Sequence, residues 1–237
     1  MNKILYPLLA LSLLAACKDS QQQQPVEDTM HLKGQIRGLK KGMVYLERLR
    51  DSLITLDSVE LFGSGRFEFE LVMDGPELLY LHLEKKDGSE YNDRFPFFAE
   101  PGELTFSTIW NEFEREGILR GSRSDSLYRD FRSMISRFNV RELELTKALM
   151  DSDSTARDSL VSAQRNNRVG RVRYTLNFAF GHTESAVSPY ALLSEGGEAN
   201  VVYLDSLWGM LGPEARGSVY GQELGKALQE YRERNRP

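Results

Sequence analysis

Near residue 120 the spacing of apolar residues along this chain switches from two to between three and four, and that switch sets the architecture. From His31 to Ser107 apolar and polar residues alternate, the period of a strand with one buried face. Phe67, Phe69 and Leu71 alternate with Glu68 and Glu70; Val44 and Leu46 with Tyr45 and Glu47; Leu79, Leu81 and Leu83 with Tyr80 and His82; Leu104 and Phe106 with Thr105 and Ser107. Turn residues separate the runs at Lys41-Gly42, Gly63-Ser64-Gly65, Asp74-Gly75-Pro76, Lys86-Asp87-Gly88 and Pro101-Gly102. About seven or eight short strands at this spacing predict an antiparallel sandwich or partly open barrel over residues 30–120.

Residues 121–237 read as helical. Leu127, Phe131, Met134, Ile135 and Phe138 recur at three and four residues, so a helix buries one stripe there, with Ser124 or Asp125 as its N-cap. The pattern weakens through Leu143, Leu145 and Leu149 and breaks at Asp151-Ser152-Asp153. A second helix carries Leu160, Val169, Val172, Leu176 and Phe180 and ends near Gly181-His182. A short helix from Ser188 to Leu193 follows, then two more over Val201–Leu211 and Ser218–Tyr231, the first stopped by Gly212-Pro213. The fold class is therefore α+β: a β domain followed by an all-helical half.

Ahead of both lies a secretory start. Lys3 supplies a positive charge, and Ile4 to Leu14 is an apolar run of about ten residues, half of what spans a bilayer. The run closes on Leu14-Ala15-Ala16-Cys17. That ending resembles the lipobox of bacterial lipoproteins. The resemblance implies cleavage after Ala16, a diacylglyceryl group on the Cys17 thiol, and attachment to the lipid bilayer through acylated Cys17. The competing reading is an ordinary signal peptide with an incidental cysteine. Cys17 is the single cysteine of the chain, so its acylation leaves no thiol for a disulfide, a Cys-x-x-Cys redox pair or a thiolate metal site. Residues 1–16 are thus expected to be a signal peptide and 17–29 a lipidated cysteine with a polar tether, holding Gln21 to Gln24 and reaching about 20 Å. Lys18-Asp19 resembles the first two residues of the export signal of surface lipoproteins in Bacteroidota-type bacteria. The expected location is the cell envelope, on the outer or inner membrane, facing the periplasm or the cell surface.

About 220 residues remain after such cleavage, enough for one large domain or two small ones. Loss of Lys3 takes the net charge from −5 to about −6, which argues against nucleic acid and against a polybasic membrane patch.

Several stretches carry a family resemblance. Leu56-Asp57-Ser58-Val59 followed by Gly65-Arg66-Phe67-Glu68-Phe69 resembles the N-terminal domain of unknown function that precedes the thioredoxin-like domain in Bacteroidota-type envelope thiol–disulfide oxidoreductases. Phe97-Phe98-Ala99-Glu100-Pro101-Gly102, Gly121-Ser122, Ser185 to Leu193 and Ser218-Val219-Tyr220-Gly221 agree in order and spacing. In longer members a thioredoxin fold with Cys-x-x-Cys begins just after this point. Here the sequence stops at Pro237 with no second cysteine, so their dithiol chemistry, which needs two cycling thiols, does not carry over.

No other motif supplies chemistry. The three histidines, His31, His82 and His182, lack metal-ligand spacing, so no metal and no cofactor is expected. Glu68 with Glu70, and Glu112, Glu114 and Glu116, could supply paired carboxylates for a glycan hydrolase, or merely a charged strand face and a solvated loop. Gly63-Ser64-Gly65 lacks the strand–loop–helix setting of a phosphate cradle. Asp followed by Ser or Thr and an apolar residue recurs at Asp28, Asp51, Asp57, Asp125, Asp158 and Asp205. This resembles the O-glycosylation sequon of Bacteroidota-type envelope proteins, although Asp-Ser pairs also begin helices and turns. Thr29, in the tether, and Ser52, in a loop, are the candidate glycan sites. The expectation is a non-catalytic envelope lipoprotein acting as a binding or docking module. Its partner would be a thioredoxin-like protein in trans, another envelope protein or a small ligand. The alternatives are an envelope hydrolase whose carboxylates meet only in the fold, and a structural or immunity-type lipoprotein.

Overall fold

The computed structural model describes residues 28–85 and 93–234; Cys17 and the tether before Asp28 lie outside them. Eight strands come first: β1 (Thr29–Arg37), β2 (Lys41–Leu49), β3 (Leu53–Phe62), β4 (Arg66–Val72), β5 (Glu77–Lys85), β6 (Asp93–Ala99), β7 (Gly102–Ile109) and β8 (Ile118–Arg120). They form two four-stranded sheets, ordered β4-β1-β7-β8 and β3-β2-β5-β6. The sheets stay open rather than closing into a barrel. One pair departs from the antiparallel expectation, because β1 and β7 run parallel, Leu32 beside Leu104. The long path from β1 to β7 through the other sheet allows this, since a parallel neighbour needs a crossover rather than a hairpin.

The alternating residues meet between the sheets. Met30, Leu32, Val44, Leu46, Phe97 and Leu104 are among those with no exposed surface, and each buried side chain of this size contributes about 1.5–3 kcal/mol. Gly34 shapes this core by lacking a side chain, since a Cβ there would stand 2.0 Å from Cζ of Phe67. The Phe67 ring therefore lies across the bare backbone of β1.

Both edges of the β3-β2-β5-β6 sheet resist further pairing. On β3 the register shifts beside Leu46 and Glu47, leaving Leu56 without a partner, and Asp57 stands opposite core residue Leu46. A bulge and a charged residue on the edge strand discourage addition of another strand. On β6, Pro96 interrupts the edge.

The six helices are α1 (Arg123–Met150), α2 (Ser154–Gly181), α3 (Val187–Glu195), α4 (Val201–Met210), α5 (Pro213–Gly217) and α6 (Val219–Arg234). The α1 cap differs from expectation. Ser122 takes the N-cap, its Oγ accepting from Asp125 N at 2.8 Å and donating to Phe98 O at 2.7 Å. Glu100 accepts the N–H groups of Arg123 and Ser124, at 2.5 and 3.1 Å. Ser124 and Asp125 are thereby pulled inside the helix and buried. The weak pattern after Phe138 is one continuous helix to Met150. Asp153 caps α2 through Thr155 N and Ala156 N. Pro213 ends one helix as expected but also opens α5, which the apolar spacing did not mark; proline is pre-organised for a first helical position.

The helices cover part of the second sheet's outer face. On β5, Leu78 is buried against the helices, Leu79, Leu81 and Leu83 between the sheets, and His82 against Tyr45 and Glu47, whereas the alternation places Tyr80 and His82 outward. Leu78 and Phe98 pack with Tyr128, Phe131, Phe178 and Val187. The Tyr220 hydroxyl accepts from Leu78 N at 3.0 Å, and burial pushes both its phenol and that of Tyr128 well above the ordinary range. A third core joins Leu192, Leu207, Leu211, Leu224 and Leu228 of α3, α4 and α6.

Candidate functional site

Helices α2 and α4 each present more apolar surface than their neighbours cover. Along α2, Val169, Val172, Leu176 and Phe180 follow one another at three and four residues and so share a face. Across from them α4 presents Tyr203, Leu207 and Met210. Leu176 and Leu207 belong to the helical core and form the floor. Phe180 and Tyr203, each 61 % exposed, and Met210, 50 % exposed, form the walls. The result is an open groove of about 680 Å³. Arg173, Asn177, Glu198 and Asn200 line its rim, and the Asn200 side chain accepts from Val202 N to start α4. Apolar walls with a polar rim suit a docked segment of another protein. Large exposed patches of this kind mark interaction sites more often than single exposed residues do.

A second cavity, of about 630 Å³, lies at the seam between sandwich and helices, with Glu100, Asp130, His182, Glu184 and Glu214 in its lining. Glu100 is spent there on capping α1, where it also accepts from Ser124 Oγ at 2.5 Å. His182 Nδ1 lies 2.8 Å from the carbonyl of Phe178.

A buried charged group sits on the sheet itself. Glu47 Oε1 lies 2.9 Å from His82 Nδ1, and its Oε2 accepts from Arg94 Nε at 2.9 Å. The Tyr45 ring stacks on His82 with centroids 5.2 Å apart. Burial pushes the Glu47 carboxyl up, but the hydrogen bonds from Arg94 and His82 outweigh it and hold the group below the usual range. His82 Nε2 is buried without a hydrogen-bond partner among the described residues. A carboxylate–imidazole pair can orient a base; here the pair and Arg94 tie β2, β5 and β6 together. Sequence spacing missed it because Glu47 and His82 read as solvent-facing positions.

The residues singled out from sequence do not converge. His31 pairs with Glu70 on the outer face of the first sheet, 3.2 Å apart, while His82 and His182 lie on β5 and after α2. Glu68 is exposed on β4, and Glu112, Glu114 and Glu116 lie after β7. Among the described residues no group of three or more His, Cys, Asp or Glu gathers to hold a metal ion. Thr29, placed by sequence in the tether, instead opens β1 opposite Val72 and is only 8 % exposed. Ser52 is exposed in the β2–β3 turn, where its carbonyl accepts from Arg50 N at 3.0 Å. Cys17 falls outside the described residues.

Residues 30–128 match the family model described as a domain of unknown function, DUF4369. The match spans the sandwich, the Ser122 cap and the first turn and a half of α1. No curated protein and no solved structure matches the chain.

Proposed function

We propose that this chain is a non-catalytic lipoprotein of the cell envelope, held on the outer or inner membrane by acylated Cys17, with a body that acts as a docking module. The observation that carries the docking role is the α2–α4 groove, where Val169, Phe180, Tyr203 and Met210 stand 47–61 % exposed around a shared apolar floor. The lipid anchor is supported by the Leu14-Ala15-Ala16-Cys17 ending and by the absence of any other cysteine. The partner favoured is a thioredoxin-like protein acting in trans. Support for that choice comes from the DUF4369 domain at residues 30–128 and its resemblance to the domain that stands ahead of a thioredoxin fold in envelope oxidoreductases.

A photo-crosslinking residue at Tyr203 in native envelope tests the reading. The expected product joins this chain to a thioredoxin-like protein, and Phe180→Glu removes it. Absence of a crosslinked protein, or a product indifferent to Phe180→Glu, would overturn the docking role. The N-terminal peptide should carry diacylglyceryl and acyl mass on Cys17, and a cytosolic, unacylated precursor would end the lipoprotein reading.

The alternative is an envelope hydrolase working in the seam cavity. With Glu100 engaged, Asp130, Glu184 and Glu214 are the carboxylates left to face a substrate there. Glycan hydrolysis lost in both Asp130→Asn and Glu184→Gln would favour it over docking.

A further inference from the structure

The chain enters the sandwich at one end, and that end carries its own apolar tip. Asp28 O accepts from Met73 N at 2.8 Å, which fixes the start of β1 beside the end of β4. At the same end β2 stops at Leu49 and β3 begins at Leu53, the two paired across the turn. Leu49, Leu53 and Ile54 are 43–49 % exposed, and Val72, at the end of β4, is 71 % exposed. Arg48 and Arg50 flank the turn, and both guanidiniums are drawn inward onto the buried carboxylate of Glu77. Asp28, Asp51 and Asp74 stay exposed there. With both arginines paired to Glu77, although Arg50 stays exposed, and three further acids in solvent, this end carries net negative charge and does not attract anionic surfaces. Its exposed attraction is apolar.

We propose that this tip, Leu49, Leu53 and Ile54 with Val72, is a second membrane contact that rests in the headgroup region of a zwitterionic bilayer. The inference rests on the lipid-anchor reading. Reach supports the choice of a bilayer as occupant. From Cys17 to Asp28 the chain spans at most about 40 Å when fully extended, and it joins the body at the end holding Asp28, so this is the end nearer the anchor. The opposite end, with Phe62, lies one strand length farther away, about 30 Å. Interfacial contacts of this kind bury apolar side chains to about 5–10 Å, and the charged Asp51 between Leu49 and Leu53 keeps the tip at that depth.

The test uses the full chain, acylated and reconstituted into phosphatidylcholine vesicles. A fluorophore is placed at Leu53→Cys or, as control, at Phe62→Cys; acylation leaves the introduced thiol as the one available for labelling. With nitroxide at headgroup depth in the lipid, the label at 53 is expected to lose emission, unchanged by high salt, and the label at 62 to lose none. Ile54→Ser with Leu49→Ser should restore the emission at 53. Protein that floats with vesicles while both labels stay bright overturns the contact and leaves the anchor standing. Protein that fails to float overturns the anchor and this inference with it. Quenching in native envelope but not in pure lipid would assign the tip to a membrane protein and overturn the bilayer as its occupant.

Discussion

Asp125 Oδ1 accepts the backbone N–H of Phe98 at 3.0 Å, tying the first helix to the last strand of the second sheet. Both partners are buried, so truncation orphans an amide that water does not reach. Asp125→Ala should cost about 1–3 kcal/mol in chemical denaturation, and Asp125→Asn, which keeps an acceptor, distinctly less. Burial pushes the Asp125 carboxyl up, against the pull of Arg129 and the Phe98 N–H. Its folded value is therefore above its unfolded one, and its contribution to stability is full below the ordinary carboxylate range and lost as pH rises through the folded value. Asn at this position should remove that loss, and identical pH profiles for the two proteins would refute the assignment.

Glu47 has the opposite sign. Its carboxyl is held down by Arg94 and His82, so the stability it adds is present above the ordinary carboxylate range and lost as pH falls through the lowered folded value. Glu47→Ala should cost about 3 kcal/mol, because removal of one partner strands the buried imidazole of His82 beside Arg94. Acid titration of unfolding, followed by circular dichroism, should show the wild type losing its advantage over this variant at low pH.

Gly34→Ala should overpack the sandwich. Its Cβ would fall 2.0 Å from the Phe67 ring, and forced shifts of this kind cost about 1–3 kcal/mol. In a double-mutant cycle, Phe67→Leu in the Gly34→Ala background should recover part of the loss. Additive costs would show that the ring is not what the methyl meets.

Tyr220→Phe should lower stability by about 1–3 kcal/mol, since the hydroxyl is the acceptor for Leu78 N in a buried seam. Amide exchange at Leu78 should rise in the variant, and an unchanged rate would argue that this bond contributes nothing.

Peptides from native envelope should carry no glycan mass at Thr29, whose hydroxyl lies in a paired strand at 8 % exposure. Modified Thr29 would mean that the transfer precedes folding of β1.

The switch in apolar spacing carried the architecture: eight strands, then helices, with breaks at Asp153 and Gly212 where local chemistry demands them. What it did not carry was cover from distant elements. The spacing places Tyr80 and His82 in solvent because it sees one strand; the helices from beyond residue 120 pack on Tyr80, and Tyr45 and Glu47 of β2 cover His82. The cap shows the same limit. Ser122, Ser124 and Asp125 are equivalent as local sequence, and Phe98 with Glu100, far earlier in the chain, decides among them. The groove was half legible. Val169, Val172, Leu176 and Phe180 read as a buried stripe, whereas α4 covers only its inner side. Tyr203 and Met210, apolar on the outer side of a short helix, were the available hint that surface there goes uncovered.

Phe97 and Phe98 are consecutive residues that belong to different cores, one between the sheets and one against the helices. Strand β6 is thus a party wall. Cutting the chain at residue 120 would lay Phe98 and Leu78 bare.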